Sequence, residues 1–226
     1  MDVSATDLEK AFSAIAPPNA AVRVVQVDAD AASPFAEEAR HVARAQPKRR
    51  AEFFAGRQAA RLALGDLGVD PIALPVGHRR MPLWPKGIVG AITHAGGFAA
   101  AITARSGYHG IGIDLERNGR VRPDLARFIS SANERLKGPS DPGIKEGDAC
   151  PLTLRFAGKE AGFKAYFPST GHFLGFSGAS CHAVSHDRFL ITIEAQEAPG
   201  VAGRREIEGR YALLGAHLMA LAWVSA

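Results

Sequence analysis

The sequence predicts an α+β fold, because two long segments with helical periodicity are combined with short segments of alternating hydrophobicity. The first helical segment runs from Pro47 to Leu67, and the second begins at Arg155. Alternating segments at residues 88–93 and 98–103 lie next to each other, which indicates an antiparallel hairpin. With 226 residues and 46% hydrophobic content, the chain can bury a core in one large domain or two small lobes.

The N-terminal part of the chain predicts a short helix, a strand and then the long helix. Ser4 or Thr6 is suited to cap a helix that ends before Pro17, and residues 21–27 alternate as a strand. In the long helix that follows Pro47, apolar residues recur at helical spacing. This helix is therefore expected to bury one face.

The opposite side of the long helix is basic. Arg50, Arg57 and Arg61 are spaced at i, i+7 and i+11, which aligns three guanidinium groups. Such a stripe suits a phosphate or an adenosine group. A solvated arginine face is the alternative interpretation, and the spacing alone does not decide between them.

A later predicted strand carries two carboxylates on one face. Residues 110–116 read Gly-Ile-Gly-Ile-Asp-Leu-Glu, so the branched apolar residues share one face and Asp114 and Glu116 share the other. Two like charges at this spacing repel each other unless a cation lies between them, and Mg²⁺ is a common partner. A solvated edge strand is the alternative.

The second helical segment has one polar face. Glu160 and Lys164 are four residues apart, next to a face that carries Phe163 and Phe167. A carboxylate that completes a metal shell and a lysine that neutralises a phosphate are groups that phosphoryl transfer requires. An ordinary surface ion pair is the alternative.

Together these segments resemble the signature of the 4'-phosphopantetheinyl transferases. The family pattern is a Gly-(Ile/Val)-Asp-x-Glu strand followed by a Lys-Glu-x-x-x-Lys helix, and it occurs at residues 112–116 and 159–164. Residues 48–61 and 82–94 are similar to segments of the longer, monomeric type of siderophore, polyketide and nonribosomal-peptide pathways. Residues 166–176 are similar to actinobacterial members.

This resemblance implies both the architecture and the reaction. It implies two pseudo-symmetric lobes, each a small antiparallel sheet packed with a long helix, at about residues 1–112 and 113–226 of a single unit. The faint similarity of residues 211–224 to residues 91–103 suits such a repeat. The implied reaction transfers the 4'-phosphopantetheine arm of coenzyme A to a serine of an apo acyl or peptidyl carrier protein and releases 3',5'-ADP. We expect a monomer without membrane or nucleic-acid partners.

The resemblance also implies roles for the residues that match the family's motifs. Asp114, Glu116 and Glu160 are expected to bind Mg²⁺, or Mn²⁺ in its place. Glu160 and Lys164 are the expected catalytic residues, and Glu160 would take the serine proton directly or through a metal-bound water. The residues expected to bind coenzyme A are Arg49, Arg57, Arg79, Thr93, His94, Lys159 and Lys164.

The Pro- and Gly-rich loop at residues 74–87 departs from the family pattern. The family commonly has a second glycine where Arg80 stands and often a basic residue where Val76 stands. Arg79 is therefore expected to supply the missing charge. After this loop, the predicted hairpin places His94 at its turn.

Composition and charge limit the partners and the compartment. The net charge of +4 and a pI near 9.3 suit an acidic partner such as coenzyme A or a carrier protein. Cys150 and Cys181 are far apart in sequence and lack metal-ligand spacing, which indicates free thiols in a reducing compartment. The N-terminus lacks the basic start of a signal peptide, so we expect a cytoplasmic protein.

The segment from Arg117 to Pro151 is polar and is expected to be the most mobile part of the chain. Short helices are predicted at residues 123–129 and 132–136, followed by a loose stretch from residue 138 to 151. Two other functions are consistent with the same residues. A metal-dependent phosphohydrolase would use the carboxylates on water, and a nucleic-acid or nucleotide-binding module would use the arginine stripe.

Overall fold

The computed structural model describes residues 3–105, 107–137 and 149–226, and it confirms the α+β fold class. The helices are α1 (Ala5–Ile15), α2 (Ala36–His41), α3 (Pro47–Asp66), α4 (Ala126–Ile129), α5 (Ala132–Lys137) and α6 (Pro151–Thr170). The strands are β1 (Ala20–Gln26), β2 (Val89–Ala95), β3 (Phe98–Ala104), β4 (Tyr108–Arg117), β5 (Ala179–Ser185), β6 (Arg188–Ile193), β7 (Glu206–Leu214) and β8 (His217–Ser225). The loose stretch predicted from residue 138 lies, up to residue 148, outside the described residues.

The first sheet is antiparallel with the strand order β1-β3-β2. Helix α3 packs on one of its faces through Ala60 and Leu64, whereas Leu8 of α1 packs on the other. The predicted hairpin β2–β3 is confirmed, and Gly96 and Gly97 form its turn with φ values of 61° and 87°. Two consecutive positive φ angles explain why glycine stands at both positions. His94 pairs with Ala99 inside β2 instead of lying at the turn.

The second sheet is antiparallel with the order β4-β8-β7-β6-β5, and α6 packs against it. The tail of the chain forms the antiparallel hairpin β7–β8. The edge strand β4 pairs with β8 from Tyr108 to Arg117. The expected lobes, residues 1–112 and 113–226, stay a prediction, and the bond between them lies inside β4.

One apolar cluster joins the two sheets. The branched residues Ile111, Ile113 and Leu115 on β4 belong to the same buried cluster as Leu8 of α1 and Ile102 of β3. Strand β4 is therefore fixed on this face by the first sheet, which leaves its opposite face for α6. In the three described ranges, the helices are too short or too polar to cross a membrane.

Candidate active site

Helix α6 lies unusually close to strand β4, and two glycines allow it. A Cβ atom added at Gly110 would lie 1.9 Å from the carbonyl oxygen of Ala165, and one added at Gly112 would lie 1.8 Å from that of Ala161. Only a residue without a side chain fits between the two backbones. The face of β4 that continues into the carboxylates therefore lies directly under the helix that carries the Glu-Lys pair.

The first carboxylate, Asp114, is held by two hydrogen bonds to one of its oxygens. Lys164 Nζ donates to Asp114 Oδ1 at 2.7 Å and to the carbonyl oxygen of Ile113 at 2.9 Å. The Thr93 hydroxyl donates to the same Oδ1 at 3.0 Å. The second oxygen, Oδ2, is buried and has no hydrogen-bond partner among the described residues. A buried carboxylate oxygen without a partner is costly, so this atom is available to a cation.

The other two carboxylates are destabilised as anions. Burial raises the pKa of Glu160; Lys164 opposes this effect, and the charges of Asp114 and Glu116 add to it. Burial also raises the pKa of Glu116, and Asp114 raises it further against the weaker influence of Arg120. The charges of Asp114 and Glu116 thus act on Glu160, and the charge of Asp114 acts on Glu116. A bound cation would favour the ionised forms of Glu116 and Glu160.

The carboxylates do not form a closed metal cage. Within the described ranges, no group of three His, Cys, Asp or Glu side chains is close enough to hold a metal ion. Mg²⁺, however, commonly uses one or two carboxylates and completes its shell with water and substrate phosphates. The all-oxygen donor set and the unpartnered Oδ2 of Asp114 fit that mode of binding.

Cationic and histidine side chains from α3 and β2 face the carboxylates across a cavity and form its cationic wall. Arg49 Nη1 donates to His94 Nε2 at 2.5 Å, and His94 Nδ1 lies 3.5 Å from Glu52 Oε2. Burial lowers the pKa of His94, which favours the neutral ring that this arrangement requires. Because Nε2 accepts from Arg49, the ring proton lies on Nδ1 and faces Glu52. Glu52 lies three residues after Arg49 on α3, and the sequence analysis did not identify it.

Arg57 is buried and retains an unused donor. Its Nε donates to the carbonyl oxygen of Leu74 at 2.8 Å, and its guanidinium lies 4.4 Å from the centre of the Phe53 ring. Its Nη2 is buried without a hydrogen-bond partner in the described part of the chain. Burial lowers the pKa of Arg57 to about 10, so the group is still charged at neutral pH. An anion bound in this cavity would accept a hydrogen bond from Arg57 Nη2.

The predicted arginine stripe is not one surface. Arg61 donates to the fully buried Glu38 at 2.7 Å, and Arg50 is exposed to solvent. Only Arg57 of the three lines the cleft. The buried carboxylate that holds Arg61 comes from α2, a helix that the sequence analysis did not predict.

The loop before β2 bridges to α6 and the segment that follows it. Arg79 and Arg80 both have positive φ angles, 49° and 66°, which is rare for residues with side chains. The Arg79 guanidinium lies 4.5 Å from the centre of the Phe173 ring, and His78 stacks on Phe167. Arg80, rather than Arg79, lines the cavity that contains the carboxylates.

These groups meet in a cavity of about 360 Å³ between α3, β2, β4 and α6. Eight of the residues predicted for the site line it: Arg49, Arg57, Thr93, His94, Asp114, Glu116, Glu160 and Lys164. Lys159 points elsewhere, because its Nζ donates to Glu134 and to two carbonyl oxygens outside this cavity. Arg79 lines an adjoining cavity of about 210 Å³ together with Trp84 and Phe167.

Comparison with known proteins agrees with this arrangement. A family model described as 4'-phosphopantetheinyl transferase N-terminal domain matches residues 37–104, and one described as 4'-phosphopantetheinyl transferase superfamily matches residues 110–216. The chain is 42% identical over 184 residues to the 4'-phosphopantetheinyl transferase Svp of Streptomyces mobaraensis. The aligned segment covers 79% of this chain and 73% of that protein.

Two further relatives come from other genera. The chain is 37% identical over 139 residues to the 4'-phosphopantetheinyl transferase Npt of Nocardia iowensis, covering 61% of each chain. It is 38% identical over 149 residues to the 4'-phosphopantetheinyl transferase PptT of Mycobacterium tuberculosis, covering 65% of this chain and 64% of that protein. The segments that the two family models match include both walls of the cavity. The chain therefore belongs to the 4'-phosphopantetheinyl transferases.

Proposed function

We propose that this protein transfers the 4'-phosphopantetheine arm of coenzyme A to a serine of an apo acyl or peptidyl carrier protein and releases 3',5'-ADP. One observation carries the proposal: the close packing of α6 on Gly110 and Gly112 brings a carboxylate cluster to face Arg49 and Arg57 across one cavity. Such an arrangement suits a substrate with a pyrophosphate at one end of the cavity and further phosphate charge at the other.

The cationic wall is proposed to bind the nucleotide end of coenzyme A. Arg57 offers a buried donor without a partner, and Arg49 approaches the cavity through its contact with His94. Arg79 is proposed to contribute from the adjoining cavity. The Thr93 hydroxyl donates to Asp114, so its first role is to orient that carboxylate, and its contact with coenzyme A stays a prediction.

The carboxylate wall is proposed to hold Mg²⁺ or Mn²⁺ together with the pyrophosphate. Asp114, Glu116 and Glu160 would supply the protein oxygens, and the bound ion would offset negative charge on the phosphate oxygens. Lys164 would share that task, since its ammonium already lies against Asp114. Activity that depends on added divalent metal, and that is abolished by chelation, is the expected result.

The proposed chemistry is a displacement at phosphorus. The serine oxygen forms a bond to the β-phosphorus while the bond from that phosphorus to the bridging oxygen breaks, and the bridging oxygen leaves with 3',5'-ADP. Glu160 takes the serine proton, directly or through water.

The carrier protein is proposed to dock beside α4 and α5. Phe128 and Leu136 are exposed there, by 60% and 86%, and the Arg127 guanidinium lies 4.6 Å from the centre of the Phe128 ring. Exposed apolar side chains rimmed by cations suit an acidic partner. Arg127→Glu should therefore slow transfer at low salt and leave coenzyme A binding unchanged. Equal transfer rates would place docking elsewhere.

The central experiment is incubation with coenzyme A, Mg²⁺ and an apo carrier protein, followed by mass spectrometry of the carrier. A mass gain of one phosphopantetheine supports the proposal. Phosphate release without carrier would indicate a phosphohydrolase instead, and salt-sensitive nucleic-acid binding without turnover would indicate a binding module. Glu197→Gln, which changes an exposed carboxylate outside these cavities, serves as the matched control for Glu160→Gln.

A further inference from the structure

A buried ion pair joins the helix that carries Glu160 to the α4–α5 segment. Lys159 is 5% exposed and Glu134 is fully buried, and Lys159 Nζ lies 2.5 Å from Glu134 Oε2. Burying two charges costs free energy that their attraction does not always recover. A contribution to stability is therefore not a sufficient reason for this buried ion pair.

The Glu134 carboxylate is fixed by three parts of the chain. Its Oε2 also accepts from the backbone N–H of Ser131 at 2.6 Å, which caps α5. Its Oε1 accepts from the backbone N–H of Cys181 on β5 at 2.8 Å. The ion pair with Lys159 adds α6 as the third element. The carboxylate thus has little freedom to move.

All the hydrogen-bond donors of the Lys159 ammonium are in use. It has three N–H donors, and they go to Glu134, to the carbonyl oxygen of Ile129 at 2.7 Å and to that of Phe176 at 2.9 Å. These acceptors lie at the end of α4, on α5 and in the segment after α6. No ammonium donor remains for a phosphate group unless one of these bonds breaks.

We infer that Lys159 and Glu134 are positioning residues for the proposed reaction, which act by setting the rotation of α6 at Glu160. Neighbouring residues on a helix point about 100° apart, so fixing Lys159 on one side directs Glu160 towards the carboxylate cavity. The inference rests on the proposed function. It replaces the expected role of Lys159 as a ligand of coenzyme A, and it gives Glu134 a role that the family resemblance does not assign.

The Phe176 contact extends the same effect to a second cavity beside Glu160. Lys159, Glu160 and Phe176 all line an apolar cavity of about 140 Å³, and Arg57 is not among its lining residues. The ammonium therefore ties a wall of this cavity to the helix beside Glu160. A change in the ion pair should alter the geometry at Glu160 without removing any group that contacts the nucleotide.

The choice of variants follows from the physics of buried charge. Lys159→Met alone leaves Glu134 ionised, buried and without its partner, and such a variant is at risk of unfolding. Glu134→Gln keeps the size and one carbonyl acceptor, and the double variant Glu134→Gln/Lys159→Met removes both charges of the pair. The buried Arg155, whose Nε lies 4.0 Å from Glu134 Oε1, keeps its charge in both variants. Thermal denaturation of each variant identifies those that fold.

The test is steady-state kinetics with coenzyme A and apo carrier varied, together with calorimetric measurement of coenzyme A binding. We expect Glu134→Gln and the double variant to lower kcat by roughly 10²-fold, as misplacement of a catalytic group does, with KM and Kd for coenzyme A within about threefold of the native values. The losses should be non-additive, because both residues act through one contact.

Three results would overturn the inference. A Kd for coenzyme A that rises strongly in Lys159→Met or the double variant but not in Glu134→Gln would make Lys159 a ligand. An unchanged kcat in a folded double variant would make the pair purely structural. Losses that simply add would mean that the two residues act separately. Absence of transfer by the native protein would instead contradict the proposed function, and the binding data would still report whether Lys159 contacts coenzyme A.

Discussion

The two walls of the cavity are built by different physics. On the carboxylate wall, Gly110 and Gly112 let two regular elements touch backbone to backbone, so the positions of Asp114 and Glu160 follow from the packing of a strand and a helix. On the cationic wall, Arg80 lies in a loop with positive φ angles, and its position depends on contacts from α6 and the segment after it. The first wall is fixed by close packing, whereas the second combines Arg49, Arg57 and His94 from regular elements with Arg80 from a strained loop.

The largest effect should come from removing the close contact on the carboxylate wall. Gly112→Ala puts a Cβ atom 1.8 Å from the Ala161 carbonyl oxygen, and neither backbone has a flexible end that can move away. We expect a loss of about 3 kcal/mol or more in the free energy of unfolding, together with loss of transfer activity. Urea denaturation measures the first quantity.

Gly175→Ala is the matched control for this change. Gly175 has a φ of −72° and no atom within 4 Å of an added Cβ, so alanine fits there without strain. Its stability should stay within about 0.5 kcal/mol of the native value. If Gly112→Ala were equally mild, α6 would not depend on backbone contact with β4.

The next effect concerns the chemistry of the same wall. Glu160→Gln should lower kcat by roughly 10²–10⁴-fold, since the amide cannot accept the serine proton, and should raise the Mg²⁺ concentration needed for half-maximal rate. Full activity at ordinary Mg²⁺ would remove Glu160 from the reaction. Glu197→Gln should leave both quantities unchanged.

Glu160→Gln should also change stability in a pH-dependent way. The pKa of Glu160 is raised above its ordinary 4.5, so the folded state prefers the protonated form and loses stability as pH rises through and above that value. The amide should therefore raise Tm at neutral pH in the absence of metal. The gain should shrink as pH falls towards 4.5 and below, and a constant gain would assign it to another cause.

These two walls also differ in how far the sequence predicted them. The strand and helix of the carboxylate wall, with Asp114, Glu116, Glu160 and Lys164, could be predicted because period and spacing are local properties. The sequence predicted repulsion between Asp114 and Glu116 but not the groups that offset it. Lys164 and Thr93 both donate hydrogen bonds to Asp114. Those hydrogen bonds join β2 and α6 to β4, and local sequence patterns do not predict contacts between separate elements.

Residues that depend on tertiary partners were predicted least well. Arg61 was grouped with Arg57 by helical spacing, yet Glu38 on the unpredicted helix α2 holds it away from the cleft. Lys159 was expected to bind coenzyme A because it stands in the family motif, and that role stays a prediction. Its hydrogen bond to Glu134, which comes from a distant segment, was not predicted. Period and spacing describe only nearby residues, so they cannot predict a buried partner that is far away in sequence.

On the cationic wall, a smaller effect is expected from Arg57→Ala. The change removes a buried charged donor that lines the cavity and that is proposed to bind the nucleotide end of coenzyme A. KM for coenzyme A should rise about 10–100-fold, as loss of a charged hydrogen bond predicts, with kcat nearly unchanged. Arg50→Ala, on the exposed side of the same helix, should change neither constant. A collapse of kcat at constant KM would contradict a nucleotide site here.

The smallest effect tests the strain in the loop. Arg80 has a φ of 66°, which costs about 1–2 kcal/mol for a residue with a Cβ atom, whereas glycine adopts it freely. Arg80→Ala and Arg80→Gly remove the same guanidinium from the cavity, so any change in KM for coenzyme A should be equal in both. The glycine variant should nevertheless be more stable than the alanine variant by about 0.5 kcal/mol, after the greater chain entropy of unfolded glycine is subtracted. The same pair at Arg50, inside α3, should show the reverse order, because glycine destabilises a helix by about 1 kcal/mol relative to alanine. If alanine were also the more stable residue at position 80, the loop would not be strained, and the contrast between the two walls would lose its physical basis.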